Sequence, residues 1–232
     1  YFIIKITIIS KNWNLCNLCC KLIGDIILNS DFQKNTYSIK ILLLLTLFYL
    51  LSTYTVYAKN SPVFIAYHRF GESEYPSTNT TIEQLESHIK ELKSSKYKVL
   101  PIIEIVKKIR NGEKIEDRTI GISVDDGFRS IYEIAWPRFK AANLPITVFL
   151  STAFIESKNP KALTWKQIRE MKRSGVLFEN HSHSHSHMPK YDRTHNENDI
   201  MVASEKFRKE LAYEPKLFAY PYGETSLEIS NS

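Results

Sequence analysis

Beyond Cys20 the chain of 232 residues has no cysteine, since Cys16, Cys19 and Cys20 are all it contains. The remainder therefore has no thiol to oxidise and no disulfide framework, which suits an exported protein. The Cys-x-x-Cys-Cys run offers zinc ligands but has no fourth ligand nearby. A strong charge is also missing. After residue 58 there are 26 basic and 23 acidic residues, a formal +3 that is too weak to argue for nucleic acid as a partner. No internal repeat or low-complexity linker divides the chain, so one domain and a preceding segment are expected at this length. Methionine is absent before Met171. An upstream extension of the reading frame, or a fragment, is therefore expected.

Residues 1–58 differ in character from the rest of the chain. Lys34 and Lys40 precede the uncharged run ILLLLTLFYLLSTYTVYA at 41–58. Its apolar core, 41–51, has the length of a signal-peptide h-region, and it ends in Val56-Tyr57-Ala58, a small-x-small cleavage pattern. A cleaved signal is the preferred reading. An uncleaved anchor is the rival, because the uncharged run approaches the ~20 residues that span a bilayer. Either way the remainder, 59–232, is expected outside the cytoplasm: periplasmic, at the cell surface or secreted.

From Pro62 onward, short apolar runs alternate with amphipathic stretches. Strands are predicted at 63–67, 120–124, 146–150, 176–179 and 217–220, each rich in β-branched or aromatic residues. Helices are predicted at 81–96, 102–110, 130–142, 165–174 and 198–212, from apolar positions recurring on one face. Such alternation implies an α/β fold with a parallel sheet, whose working residues follow the strand ends.

Three motifs occupy those places. Asp125-Asp126-Gly127 follows the second predicted strand, and E-N-H-S-H-S-H-S-H-M (179–188) begins at the end of the fourth. Pro221-Tyr222-Gly223 follows the fifth. Taken singly, each has a bland reading: a surface turn for Asp-Asp-Gly and Tyr-Pro-Tyr-Gly, an adventitious metal-binding loop for the histidines. Together they say more. Adjacent carboxylates at a strand end repel unless a cation lies near or one holds a proton. Two imidazoles four residues apart, either His181 with His185 or His183 with His187, would complete a three-ligand site with open positions, the arrangement of a catalytic zinc centre. The second carboxylate is then free to act as a base.

With these motifs the sequence resembles the polysaccharide deacetylases, the NodB-homology group or carbohydrate esterase family four. The likeness runs from about Val63 to Gly223. It comprises Tyr67-His68-Arg69, S-V-D-D-G (123–127), P-I-T-V-F-L (145–150), N-H-S-H-S-H (180–185) and F-A-Y-P-Y-G (218–223). The resemblance implies a distorted (β/α) barrel, with the last strands missing from this chain. It implies that Asp126, His181 and His185 hold a divalent metal, that Asp125 is the general base, and that the Tyr222 backbone N–H holds the oxyanion. His183 and His187 would then lie outside the ligand set. Zinc fits such ligands best, with cobalt, nickel or iron as alternatives. The implied activity is hydrolysis of N-acetyl groups on an extracytoplasmic polysaccharide or cell-wall peptidoglycan. The partner is the polymer, with the membrane reached only through residues 1–58.

The chain departs from the family pattern in two ways. No Leu-x-His motif, the usual source of the proton donor, precedes Ser232, and Ala219 stands where an arginine usually orients the base. His68 falls near the site in the family without being assigned as the acid. A remnant that binds carbohydrate or metal without turnover is therefore the competing expectation. A non-haem iron oxygenase is disfavoured, because it gives Asp125 no task.

Overall fold

The computed structural model describes residues 61–225, which all belong to one structural unit. The apolar run 41–51, its polar end and the cysteines lie outside the described residues. Among the described residues, no helix is long and apolar enough to cross a membrane.

The longest strand carries the sequence T-I-G-I-S-V-D-D, and burial on both sides explains its nearly continuous apolar character. Around it the chain runs through β1 (Val63–Tyr67), the short β2 (Arg69–Phe70) and β3 (Asn79–Thr80), α1 (Ile82–Leu92), β4 (Lys98–Val99) and α2 (Ile102–Arg110). The long strand is β5 (Thr119–Asp126), followed by α3 (Trp136–Ala141), β6 (Thr147–Leu150), α4 (Thr152–Glu156) and α5 (Trp165–Arg173). Then come β7 (Leu177–Asn180), α6 (Arg193–Leu211) and a final 3-10 turn (Pro221–Gly223). Strands β1, β5, β6 and β7 are adjacent in that order, all parallel, and β4 joins the start of β5. The register sets Tyr67 beside Val124, Asp126 beside Leu150 and Leu150 beside Asn180. The strands thus end side by side. Ile122, Val124, Val148 and Leu150 pack in one core with Leu85, Phe139, Ile168, Met171 and Phe207 from the helices.

This is the expected α/β architecture, and as a distorted barrel it leaves the parallel sheet open among the described residues. Several boundaries differ from the sequence reading, each for a physical reason. The helix predicted at 130–142 begins as a π turn (Ile131–Ala135), because Pro137 cannot donate and its ring crowds the preceding turn. The helix predicted from 198 starts five residues earlier, at Arg193, behind the N-cap Asp192. Its first turns face inward with Asn196 and Asp199, so the buried face was not apolar. The strand predicted at 217–220 is reduced to one parallel bridge between Asn180 and Phe218, since Pro221 and the left-handed Tyr222 end the pairing.

Two helices start with a reciprocal cap. Thr81 with Gln84, and Thr164 with Gln167, each exchange side-chain and backbone hydrogen bonds across the first turn. Thr164→Ala removes one half of the second cap. It is expected to lower stability by about 1 kcal/mol, read as a reduced urea midpoint with an unchanged slope.

Candidate active site

Asp125 and Asp126 close β5, and the turn after them is tight. Asp126 adopts a left-handed backbone (φ 73°), and the Gly127 N–H donates to Asp125 O at 3.0 Å. Gly127 itself has φ 96°, and a Cβ there would meet the Ile155 side chain at 2.7 Å. Only glycine fits that turn without displacement. The Asp125 side chain is buried, and its Oδ1 accepts no hydrogen bond. Burial raises its pKa most. The charges of His181 and His68 oppose this, Asp126 adds to it, and the net shift is upward.

His181 follows β7 directly, its N–H donating to Leu150 O at 3.1 Å. Its ring is oriented by the neighbouring segment. Nδ1 lies 2.8 Å from the carbonyl oxygen of Ala219, which can only accept, so Nδ1 carries the proton and Nε2 keeps a lone pair. That Nε2 lies 3.5 Å from Asp126 Oδ1, and the His185 Nε2 lies 3.0 Å from the same oxygen. Getting His185 there requires a reversal of the chain within four residues. Ser182 (φ 67°) and His185 (φ 54°) both take left-handed backbone, and the His185 N–H donates to Ser182 Oγ at 3.0 Å.

The donor set fits a cation. One ligand atom from each of Asp126, His181 and His185 lies within 4.8 Å of the other two, and Asp126 Oδ1 is buried without a well-directed hydrogen bond. Without a cation, the carboxylates and the imidazoles act on one another's charge. Burial by itself favours neutral forms, but His181 and His185 hold the Asp126 carboxyl below the ordinary range, while Asp126 and Asp125 push the His181 pKa up. These two shifts are halves of one interaction.

The other two histidines turn elsewhere. His183 Nδ1 lies 2.9 Å from Thr152 Oγ1 at the start of α4. His187 Nδ1 lies 2.8 Å from Glu224 Oε2, and its ring stacks on Tyr222 with centroids 3.9 Å apart. Tyr222 is left-handed (φ 59°), with its ring edge-on to His185 at 4.6 Å. The Gly223 and Glu224 N–H groups are used by Tyr220 O and Pro221 O, whereas no acceptor among the described residues takes that of Tyr222. His68 is near enough for its charge to act on Asp125.

Three residues to which sequence reasoning gave no role shape this site. Glu179, buried in β7, accepts from Tyr213 Oη (2.7 Å), Lys216 N (2.7 Å) and Leu217 N (2.8 Å), which ties down the segment that supplies Ala219 and Tyr222. Asn180 accepts the Ser182 N–H at 2.7 Å and donates to Ile200 O and Ser204 Oγ of α6. Asp199 accepts from the backbone of the histidine loop. A glutamate inside the apolar run V-L-F-E was the one visible sign, since a charge there needs partners.

The sequence model of the family described as Polysaccharide deacetylase matches residues 112–232. The poly-beta-1,6-N-acetyl-D-glucosamine N-deacetylase of Staphylococcus epidermidis is 31% identical over 193 residues, covering 72% of this chain. The chain spans 66% of that relative's length. The fold is shared with the Streptococcus pyogenes deacetylase PplD in complex with acetate (TM-score 0.66, 20% identity, 72% of this chain and 76% of that one). It is also shared with IcaB from Ammonifex degensii (TM-score 0.66, 19% identity, 74% and 78%).

Proposed function

Because this chain belongs to the polysaccharide deacetylase family, we propose that it hydrolyses N-acetyl groups on a polymer of N-acetylglucosamine, releasing acetate and leaving free amines on the sugar. The observation that carries this reading is the convergence of Asp126, His181 and His185 beside the buried carboxyl of Asp125. The name of the staphylococcal relative supports the substrate class.

Asp126 Oδ1 and the Nε2 atoms of His181 and His185 would hold a divalent cation, and zinc suits a set of two imidazoles and one carboxylate with open positions. Such a cation supplies a Lewis acid that polarises an acyl oxygen and acidifies water. The Ala219 carbonyl fixes the His181 ring so that Nε2 presents its lone pair inward. Asp125 takes the proton of the attacking water. Its burial at the end of β5 holds the carboxyl in place beside the proposed ligands. The Tyr222 N–H, which no acceptor among the described residues takes, would donate to the oxyanion that forms as water adds to the acetyl carbon. Breakage of the C–N bond then requires a proton on the nitrogen, and the proton held by Asp125 is the one gained in the attack.

We place this activity outside the cytoplasm, on the strength of the apolar run 41–51, the Val56-Tyr57-Ala58 pattern and the cysteine-free remainder. The test is acetate release from β-1,6-linked N-acetylglucosamine oligomers by the full chain loaded with zinc or cobalt. Release that depends on the cation is expected. Stoichiometric cation binding with no release would sink the enzymatic reading and leave a metal-holding protein without turnover.

A further inference from the structure

The histidine loop poses a problem that the ligands themselves do not solve. Residues 181–185 reverse direction so that two imidazoles meet one carboxylate oxygen, and they do so outside any helix or strand. Without a ladder of backbone bonds, the N–H groups at the apex need other acceptors. The left-handed Ser182 turns two successive ones, those of His183 and Ser184, toward the same side. This is the concave arrangement of backbone N–H groups that binds anions.

One carboxylate fills it. Asp199, buried on the second turn of α6, accepts from His183 N at 3.2 Å and from Ser184 N at 3.0 Å, using both oxygens. The carbonyl side of the same loop is held separately: Thr152 N and Ala153 N donate to Ser182 O and His183 O, and Ser151 Oγ donates to His183 O. Asn180 holds Ser182 N. The apex therefore has acceptors from α6 and donors from α4. Only Asp199 brings a charge.

We propose that Asp199 is a positioning residue for metal ligation, its carboxylate setting the curvature of 182–185 that returns His185 to Asp126. The inference rests on Asp126, His181 and His185 being the metal ligands. An uncharged side chain of the same shape offers one acceptor oxygen for two N–H groups and puts an NH2 group against the other. The loop then relaxes, and His185 is the ligand that moves, because His181 is fixed independently by Leu150 O and Ala219 O. Loss of an outer partner of this kind costs about 10- to 100-fold in metal affinity.

The experiment compares the zinc affinity of the full chain, by chelator competition, with those of Asp199→Asn, Asp199→Ala and Asn196→Ala, alongside the melting temperature of each without zinc. Asn196 is the control. It is equally buried on α6, but its side chain donates to Met188 O (3.0 Å) and Tyr191 O (3.3 Å), beyond the histidines. Affinity is expected to fall about tenfold in Asp199→Asn and up to about a hundredfold in Asp199→Ala, and to stay at the parental value in Asn196→Ala even where its melting temperature drops. Parental affinity in Asp199→Asn overturns the proposal, as does an equal loss of affinity in the Asn196 variant. A parental chain that binds no zinc overturns the metal-ligand reading itself, an outcome distinct from the other two.

Discussion

Acetate release by an Asp125→Asn chain is expected to be about 10²- to 10⁴-fold below the parental rate, the range contributed by a positioned base, with zinc affinity retained. Asparagine has nearly the same shape as aspartate, so the end of β5 and the turn at Gly127 keep their packing. What is lost is the capacity to accept a proton. The substitution also removes a carboxyl that burial disfavours, and the sign of that effect can be stated. In the cation-free protein the Asp125 pKa is raised, so its contribution to stability is complete below the unfolded-state pKa and is lost as pH rises through the folded value. At neutral pH the variant should therefore melt no lower than the parent. Activity, zinc binding and melting temperature, measured on one preparation, check all three statements. A lost rate accompanied by lost zinc would move Asp125 from base to ligand support and remove it from the proton transfer.

His181→Ala should have the larger effect on the cation. Its Nε2 is one of the three atoms proposed to hold the ion, and its ring is held by Ala219 O and buried beside Asp126. The substitution would remove one proposed ligand atom and leave a cavity at the end of β7. Zinc affinity is expected to fall by more than the roughly 10- to 100-fold that an outer partner costs, and acetate release should fall with it. The same residue gives the parental site a pH dependence. The imidazole must be neutral to ligate, and Asp126 and Asp125 raise its pKa. A raised pKa keeps the proton on the ring to higher pH, so zinc affinity should begin to fall with acidification above the usual histidine range. Competition titrations at a series of pH values test this. An affinity unchanged from neutral pH down through that range would remove His181 from the ligand set.

The sequence by itself determined the alternation of strands and helices, because apolar periodicity records which faces are buried, and the buried sheet is built from its β-branched runs. It also placed the three motifs at strand ends, where a parallel sheet collects working residues. Spacing left two histidine pairs open, since identical spacing carries no information about which imidazoles converge, and the family motif favoured His181 with His185 without showing where the rings lie. Only the tertiary structure decided that. Thr152 draws His183 toward α4, Glu224 and Tyr222 engage His187, and two left-handed residues return His185 to the oxygen that His181 faces. The supporting carboxylates Glu179 and Asp199 were hidden for a related reason: their partners are backbone N–H groups 37 and 16 residues away in the chain. Pattern reading detects side chains that share a face of one element. It cannot see an acceptor on one element that satisfies the bare N–H groups of another, because every residue type has the same backbone and the pairing exists only once the chain has folded.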